Sequence, residues 1–256
     1  MTSEGWAPVP PGARPARRAG RLLAAVVILG GGPLAACAAE PDEAWFERAR
    51  VRMVAEQLRA RDIADSRVLA AMARVPRHAF VDPPYRRRAY DDTPLPIGHE
   101  QTISQPYIVA LMTQLLELKG TERVLEVGTG SGYQAAVLAE VTAEVATIEI
   151  VEPLARTATE RLKALGYARV AVRAGDGYAG WPERAPFDGI LVTAAADHIP
   201  SALLAQLAEG GRLVMPVGMT GDVQRLGVAE KRAGTIRTRD VTAVRFVPLV
   251  VPRGRP

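Results

Sequence analysis

Three glycines at alternate positions, Gly128, Gly130 and Gly132, are the clearest candidates for contact with a ligand. An apolar run over 124–127 precedes them, and a helix-forming segment begins at Tyr133. A strand, a glycine turn and a helix in this order bring the backbone against a nucleotide, and a Cβ atom would block that approach. The spacing is not the Gly-x-Gly-x-x-Gly of dinucleotide binders, so a tight turn without a ligand is an alternative.

Two acidic residues near the glycines favour a nucleotide. Glu126 lies inside the apolar run, where an unpaired carboxylate would be costly. Glu149 ends the next apolar run, at about the spacing from the glycines that a ribose-binding acid has. NAD and S-adenosylmethionine (SAM) both carry such a ribose. The short glycine turn and the extra acid favour SAM, which is cationic and has no pyrophosphate.

A third acid follows the next predicted strand, in Gly175-Asp176-Gly177. Ligands of parallel sheets bind at the carboxyl ends of the strands, so we expect Asp176 near the glycine turn. Its carboxylate would accept a hydrogen bond from the adenine amino group. The alternative is a simple Asp-Gly turn.

A serine hydrolase is a weaker interpretation of the same turn. Ser131 resembles the nucleophile of a strand-to-helix elbow, and Asp176 and His198 follow it in chain order. However, Thr129 and Tyr133 stand where the Gly-x-Ser-x-Gly motif has its glycines. The motif is therefore not satisfied.

Alternating strands and helices must position these residues. The predicted strands are 124–127, 145–150, 170–173, 190–193 and 212–216, and the predicted helices are 133–140, 153–165 and 200–206. This alternation predicts an α/β fold with a mostly parallel central sheet and helices on both faces. After Gly221 the pattern changes to three strands, at 223–229, 235–241 and 244–250, which predict an antiparallel C-terminal end.

Two helices and a polar loop precede the first of these strands. Residues 45–60 have an amphipathic pattern, and a second helix capped by Asp65 or Ser66 is expected to stop near Val75.

A polar, glycine-containing loop over 97–107 leads into a helix predicted from 106 to 118. Pro106 suits the first turn of that helix, and Ser104 is placed to cap it. Helix capping is therefore the simplest role for Ser104.

The composition excludes several classes of site. The 256 residues suffice for one large α/β domain or two small ones, and the net charge of +4 is no nucleic-acid signature. Arg86-Arg87-Arg88 could touch phosphate, but such runs are more often solvated, and we expect no nucleic-acid partner. The single cysteine excludes an intrachain disulfide, and the three separated histidines give no metal spacing, so no metal is expected.

Residues 1–40 form an N-terminal extension that we exclude from the fold. Basic residues precede an apolar run over 22–34, which has about the length of a signal-peptide core. Leu34-Ala35-Ala36-Cys37 follows and resembles a bacterial lipoprotein box, in which the cysteine is lipidated. The alternative is a chance Ala-rich extension. Residues 41–256 are predicted to form one domain, with N-terminal helices and a loop over 41–120 and the SAM-binding core over 121–256.

Several segments together resemble the protein-L-isoaspartate O-methyltransferase family, a branch of the SAM-dependent methyltransferases. The resemblance covers about residues 48–250. Glu100 departs from it, because a glycine is expected there, and so does the N-terminal extension. The matching segments are Arg74-Val-Pro-Arg-His-Ala-Phe-Val-Asp82, Leu95-Pro-Ile-Gly-His-Glu-Gln-Thr-Ile-Ser-Gln-Pro-Tyr107, Val124-Leu-Glu-Val-Gly-Thr-Gly-Ser-Gly-Tyr-Gln134, Gly175-Asp-Gly177, Ala185-Pro-Phe-Asp188, Val192-Thr-Ala-Ala195, Leu213-Val-Met-Pro-Val-Gly218 and Val244-Arg-Phe-Val-Pro-Leu249.

The resemblance implies a Rossmann-like methyltransferase fold and a repair activity. The methyl group of SAM goes to the α-carboxylate of L-isoaspartyl residues in proteins, and the methyl ester recloses to a succinimide. Ser104 matches the family's active-site serine, and its role would be to orient the carboxylate. The implied cofactor-binding residues are Thr102, Ile103, Glu126, Gly128, Thr129, Gly130, Gly132, Glu149, Ile150, Asp176 and Gly177.

Two other functions and two locations stay open at this stage. One alternative is a SAM-dependent methyltransferase of a small molecule or RNA, and the other is a non-catalytic envelope lipoprotein that binds damaged protein. The family and the supply of SAM favour the cytoplasm. The box ending at Cys37 favours export and a lipid anchor.

Overall fold

Six α-helices and nine strands follow one another in the computed structural model, which describes residues 41–219 and 221–250. The helices are α1 (Glu43–Arg52), α2 (Ser66–Arg74), α3 (Pro106–Leu115), α4 (Tyr133–Val141), α5 (Glu152–Ala164) and α6 (Ser201–Ala205). The strands are β1 (Leu95–Pro96), β2 (Thr102–Ile103), β3 (Arg123–Val127), β4 (Glu144–Glu149), β5 (Ala171–Ala174), β6 (Phe187–Val192), β7 (Leu207–Val217), β8 (Gln224–Arg232) and β9 (Thr235–Val244). A π-helical stretch, Met53–Arg59, continues α1, and 3₁₀ turns lie at Arg77–Phe80, Pro83–Arg88, Gly177–Ala179 and Pro182–Arg184.

Seven strands form the central sheet in the order β5-β4-β3-β6-β7-β8-β9. Strands β3 to β7 pair in parallel, whereas β8 pairs antiparallel to both β7 and β9. The predicted α/β class, the parallel strands and the antiparallel C-terminal end are confirmed.

The strand order reverses beside β3. The chain runs from β3 outward through β4 to β5, and then returns to pair β6 with the other side of β3. Ligands of such sheets bind at the carboxyl ends of the strands where the order reverses. The glycine turn follows β3 and therefore lies at this position.

Both faces of the sheet are buried. Val124 of β3 packs in an apolar cluster with residues of α1 to α4, and the next residue, Leu125, packs on the opposite face with residues of β6, β7 and α6. A strand with both faces covered reads as a continuous apolar run, which explains the pattern at 124–127. The position of Glu126 in such a strand is correspondingly unusual.

Aspartates begin the first two helices. The Asp42 carboxylate accepts a hydrogen bond from the backbone N–H of Trp45 (2.7 Å), and Asp65 accepts from Arg67 (2.8 Å). Each bond satisfies an N–H group that has no partner within its helix. Asp65, rather than Ser66, is thus the cap of α2.

Two predictions are wrong, one about the cap of α3 and one about the last strand. Helix α3 ends at Leu115, and its N-cap is Gln105, which makes no side-chain capping bond. Ser104 therefore does not cap α3. The predicted strand over 244–250 does not form. Strand β9 continues to Val244. The segment after it lies at the carboxyl ends of the parallel strands, where Pro248 pairs with Ala195.

The predicted signal and the box ending at Cys37 lie outside the described residues. From Pro41 on, the chain clusters as one unit. No helix within 41–219 and 221–250 is long and apolar enough to cross a membrane.

Candidate active site

The glycine turn after β3 is closely packed against the end of β6. Gly128 has a φ of 97°, and a Cβ atom on it would lie 2.3 Å from the hydroxyl oxygen of Thr193. Both facts require glycine. The Thr193 hydroxyl contacts the carbonyl oxygen of Gly128 at 2.7 Å and that of Val127 at 3.1 Å. The ends of β3 and β6 are thereby joined where the strand order reverses.

Glu149 stands at the end of β4 beside this turn. One carboxylate oxygen accepts from the backbone N–H of Gly130 (2.8 Å), and the other accepts from Val151 (2.9 Å). A carboxylate offers about four acceptor sites, so these two bonds orient it and leave acceptor capacity for ribose hydroxyls. The two bonds also connect the glycine turn to the start of α5.

Glu126 is completely buried in β3. One carboxylate oxygen accepts from the hydroxyl of Thr147 (2.6 Å), which in turn lies 2.6 Å from the hydroxyl of Thr129. The other oxygen has no hydrogen-bond partner in the described protein. Burial raises the pKa of Glu126 to about 8, against an ordinary 4.5. An incompletely satisfied carboxyl group lining the cavity beside the glycine turn suits a cationic ligand.

Asp176 and Gly177 follow β5 at the same edge of the sheet. The Asp176 carboxylate accepts from the backbone N–H of Tyr178 (2.9 Å) and caps a short 3₁₀ turn. Gly177 lines the cleft together with Glu149 and Ile150. A Cβ atom on Gly177 would lie 2.4 Å from a methyl group of Val127. The expected proximity of this segment to the glycine turn is confirmed.

The loop that carries Ser104 packs over the turn. Strand β2 pairs with β1, which places Ile103 in the core opposite Leu95. Thr102, Ile103 and Ser104 line a small cavity together with Glu126 and the glycine turn. The Ser104 hydroxyl makes no hydrogen bond within 41–219 and 221–250, so it is free to bind a ligand.

A larger cavity of about 600 Å³ opens on the other side of this loop. Ser104, Thr102 and Thr193 line it, together with residues around the end of β9. Thr102 and Thr193 also line the cleft that contains Glu149. Thr102 and Thr193 therefore form the boundary between the cleft that contains Glu149 and the larger cavity.

The segment after β9 covers the cleft. The backbone of Ala195 donates to Val247 (2.9 Å) and accepts from Leu249 (2.7 Å). Residues 247–250 line the cleft opposite the glycine turn. The segment that was predicted to be a strand is thus part of the candidate site.

The hydrolase interpretation does not fit the geometry. The Ser131 hydroxyl accepts from the backbone N–H of Tyr133 (3.4 Å), and His198 pairs with Asp197 (2.6 Å) at an exposed position.

No group of three or more metal-ligating side chains occurs in the part of the chain that the structure describes. In the Arg86-Arg87-Arg88 run, Arg88 pairs with Asp91 (3.3 Å).

Thr193 and the covering segment, residues 247–250, were not among the predicted site residues. Both were visible only as parts of family-like segments, Val192-Thr-Ala-Ala195 and Val244-Arg-Phe-Val-Pro-Leu249. Thr193 directly follows an apolar run. A polar residue at the carboxyl end of a parallel strand indicates a candidate ligand-binding residue. No local signal indicates that residues 247–250 return to the sheet end.

Comparison with known proteins agrees with this geometry. The family model of protein-L-isoaspartate(D-aspartate) O-methyltransferase matches residues 49–254. The protein-L-isoaspartate O-methyltransferase of Opitutus terrae is 61% identical over 209 residues, which cover 80% of this chain and 90% of that protein. That of Gloeobacter violaceus is 58% identical over 197 residues, 77% of this chain and 96% of its own length.

Solved structures match as well. A structure named protein-L-isoaspartate O-methyltransferase aligns with a TM-score of 0.71 and 30% identity, over 78% of this chain and 65% of that one. A Plasmodium falciparum structure, described as a putative member in complex with S-adenosyl-L-homocysteine, aligns with a TM-score of 0.67 and 28% identity, over 78% of this chain and 98% of that one. The chain belongs to the protein-L-isoaspartate(D-aspartate) O-methyltransferase family.

Proposed function

We propose that this chain repairs damaged proteins by transferring the methyl group of SAM to the free α-carboxylate of L-isoaspartyl residues. The methyl ester then recloses to a succinimide. The meeting of the cleft and the larger cavity at Thr102 and Thr193 carries the proposal, together with the position of Ser104 in the wall of the larger cavity and of the small cavity beside the glycine turn. A group bound in the cleft and a peptide bound in the larger cavity would meet at these side chains, in agreement with the family membership.

The residues around the cleft suit SAM. Glu149 retains acceptor capacity for the ribose. Glu126 supplies a buried carboxyl group that is protonated at neutral pH without a ligand and whose ionised form a cationic ligand would favour. When bound, SAM supplies an electrophilic methyl group on a sulfonium. We assign its binding to the two acids and to Thr102, Ile103, Gly128, Thr129, Gly130, Gly132, Ile150, Asp176 and Gly177.

The methyl acceptor needs orientation rather than a base. An α-carboxylate has a pKa of about 3.5 and is ionised at neutral pH. The Ser104 hydroxyl donates a hydrogen bond to it and directs one oxygen at the methyl carbon. Residues 247–250 exclude water from the cleft. Alignment and exclusion of water are the main contributions that such a displacement requires.

A matched pair of peptides tests the activity. One peptide contains an L-isoaspartyl residue and the other contains aspartate at the same position, and both are incubated with protein and labelled SAM. We expect base-labile methylation of the isoaspartyl peptide alone. Equal labelling of both peptides, or a base-stable methyl-nitrogen product, would assign a different substrate.

The location of the protein in the cell is a separate proposal, because residues 1–40 resemble a lipoprotein signal. We propose that residues 41–256 act as a single methyltransferase domain in the cytoplasm, where SAM is made, on proteins that contain L-isoaspartyl residues. Mass spectrometry of the mature N-terminus after cell fractionation tests the location. A diacylated Cys37 in the membrane fraction would instead assign an exported lipoprotein.

A further inference from the structure

Arg77 is a buried cation without an acidic partner. Its side chain is fully buried, in a 3₁₀ turn between α2 and β1. The guanidinium donates to three backbone carbonyl oxygens, those of Ala89, Thr93 (3.3 Å) and Ser104 (3.0 Å). No carboxylate within 41–219 and 221–250 forms an ion pair with it. Its charge is therefore balanced by carbonyl dipoles and by the more distant carboxylates of Asp91 and Asp92.

Burying such a charge is costly. An apolar side chain of similar volume often stabilises a protein as well as or better than a buried charge. Burial lowers the pKa of Arg77 to about 10, so the group still carries its charge and all its donors at neutral pH. The guanidinium also lies 5.8 Å from the ring of Tyr133, the first residue of α4 after the glycine turn. These contacts place Arg77 between the glycine turn and the Ser104 loop.

Asp92 holds the residues after Ser104, because its carboxylate accepts from the Gln105 side chain (3.1 Å) and from the backbone N–H of Tyr107 (3.1 Å), but it does not bind Ser104 itself. Strand β2 consists of two residues and ends at Ile103, and the N-cap of α3 is Gln105. Ser104 lies between these elements, and its hydroxyl has no partner within the described ranges. The bond from Arg77 to the Ser104 carbonyl oxygen is thus the direct side-chain restraint on that residue.

We propose that Arg77 is the positioning residue of the Ser104 loop, which it holds in register with the glycine turn through its contacts with the Ser104 carbonyl and the Tyr133 ring. The inference rests on the proposed role of Ser104. A rigid fork of donors is needed, because three carbonyls in different directions must be bound at once. A lysine keeps the charge but not the fork.

The Arg77→Lys variant tests the proposal in two backgrounds. In the wild-type chain we expect kcat for the isoaspartyl peptide to fall about 10- to 100-fold, because small misplacements of catalytic groups cost that much. The Kd of S-adenosyl-L-homocysteine should be unchanged. In the Ser104→Ala background the same substitution should change kcat by less than about twofold, because the two effects share one cause. Arg74→Lys, at the exposed last position of α2, is the matched control and should leave kcat unchanged.

Amide hydrogen exchange of residues 102–105 gives a second readout. We expect faster exchange there in Arg77→Lys and in Arg77→Met, which leaves no buried charge and is expected to fold. Equal losses of kcat in both backgrounds, or unchanged exchange in 102–105, would overturn the proposal. If Ser104→Ala keeps full turnover, the role of Ser104 fails separately. Loss of kcat with faster loop exchange in Arg77→Lys would then still assign the loop to Arg77.

Discussion

Ser104 offers a hydroxyl at the boundary of two cavities, and this hydroxyl makes no hydrogen bond to the residues that the structure describes. Replacing it with alanine would remove the charge-assisted hydrogen bond that we propose it donates to the substrate carboxylate. Such bonds contribute about 1.5–3 kcal/mol, so we expect Ser104→Ala to lower kcat about 10- to 100-fold. The affinity for S-adenosyl-L-homocysteine, measured by calorimetry, should stay within a few fold.

Ser201→Ala, at an exposed position that starts α6, is the control for this experiment. It should keep wild-type kcat. A large loss of cofactor affinity in Ser104→Ala would contradict the proposed role and would assign Ser104 to the cofactor.

Glu126 makes a prediction about pH. Its pKa is raised from 4.5 to about 8, so between these values the folded chain binds a proton that the unfolded chain releases. Stability without cofactor therefore falls as pH rises through this window, by at most about 1.4 kcal/mol per pH unit. Glutamine cannot ionise. We expect the free energy of unfolding of Glu126→Gln, relative to wild type, to improve by about 2–3 kcal/mol from pH 5 to pH 7.

Urea denaturation at several pH values measures this difference. Glu47→Gln, an exposed change on α1, should run parallel to wild type. Parallel curves for Glu126→Gln as well would mean that Glu126 is ionised in the folded protein at neutral pH.

At the scale of elements, the turn between β1 and β2 holds a residue with a side chain, Glu100, in a backbone conformation that favours glycine. Glu100 has a φ of 59°, a left-handed conformation that costs a side-chain-bearing residue about 1–2 kcal/mol. The family pattern expects glycine there. Glycine avoids the cost but loses more entropy on folding, so we expect Glu100→Gly to stabilise the fold by about 0.5–1 kcal/mol. Denaturation midpoints measure the gain.

Glu100→Ala separates backbone strain from side-chain effects. Alanine keeps the Cβ atom and should give no gain. If both variants stabilise the protein equally, the Glu100 side chain, and not its φ, is the source of the cost.

The segment after β9 shows how an element was misassigned. Its apolar residues fit a strand, but β9 continues past residue 241, where it was predicted to end, to Val244, and the chain does not fold back along the edge of the sheet. Instead, Val247 accepts from the N–H of Ala195, and Leu249 donates to its carbonyl oxygen. Leu249 packs near Gly177. A local pattern of apolar residues does not distinguish these two outcomes.

At the scale of the whole molecule, the candidate site joins segments that are far apart in sequence. Residues 102–104, 128–131, 149–151, 177, 193 and 247–250 surround it. A ligand bound there should stabilise the entire fold. S-adenosyl-L-homocysteine at 100 times its Kd should add about 2.7 kcal/mol, which raises Tm by about 5–10 °C.

Differential scanning calorimetry tests this expectation, with methionine at equal concentration as the control. No shift with S-adenosyl-L-homocysteine, at concentrations that saturate binding in calorimetric titration, would contradict assembly of the site in the folded state. A shift with methionine alone would indicate nonspecific stabilisation.

By itself, the sequence determined the α/β class, the parallel strands, the glycine turn and the acids beside it. Apolar periodicity, glycines and helix caps act over a few residues, so they are legible in the chain. Only the tertiary structure decided that Gln105 and not Ser104 precedes α3, that Thr193 closes onto Gly128, that residues 247–250 cover the cleft, and that Arg77 holds the Ser104 loop. The last three depend on contacts between distant segments, and a hydrogen bond between such segments leaves no periodic trace in the sequence.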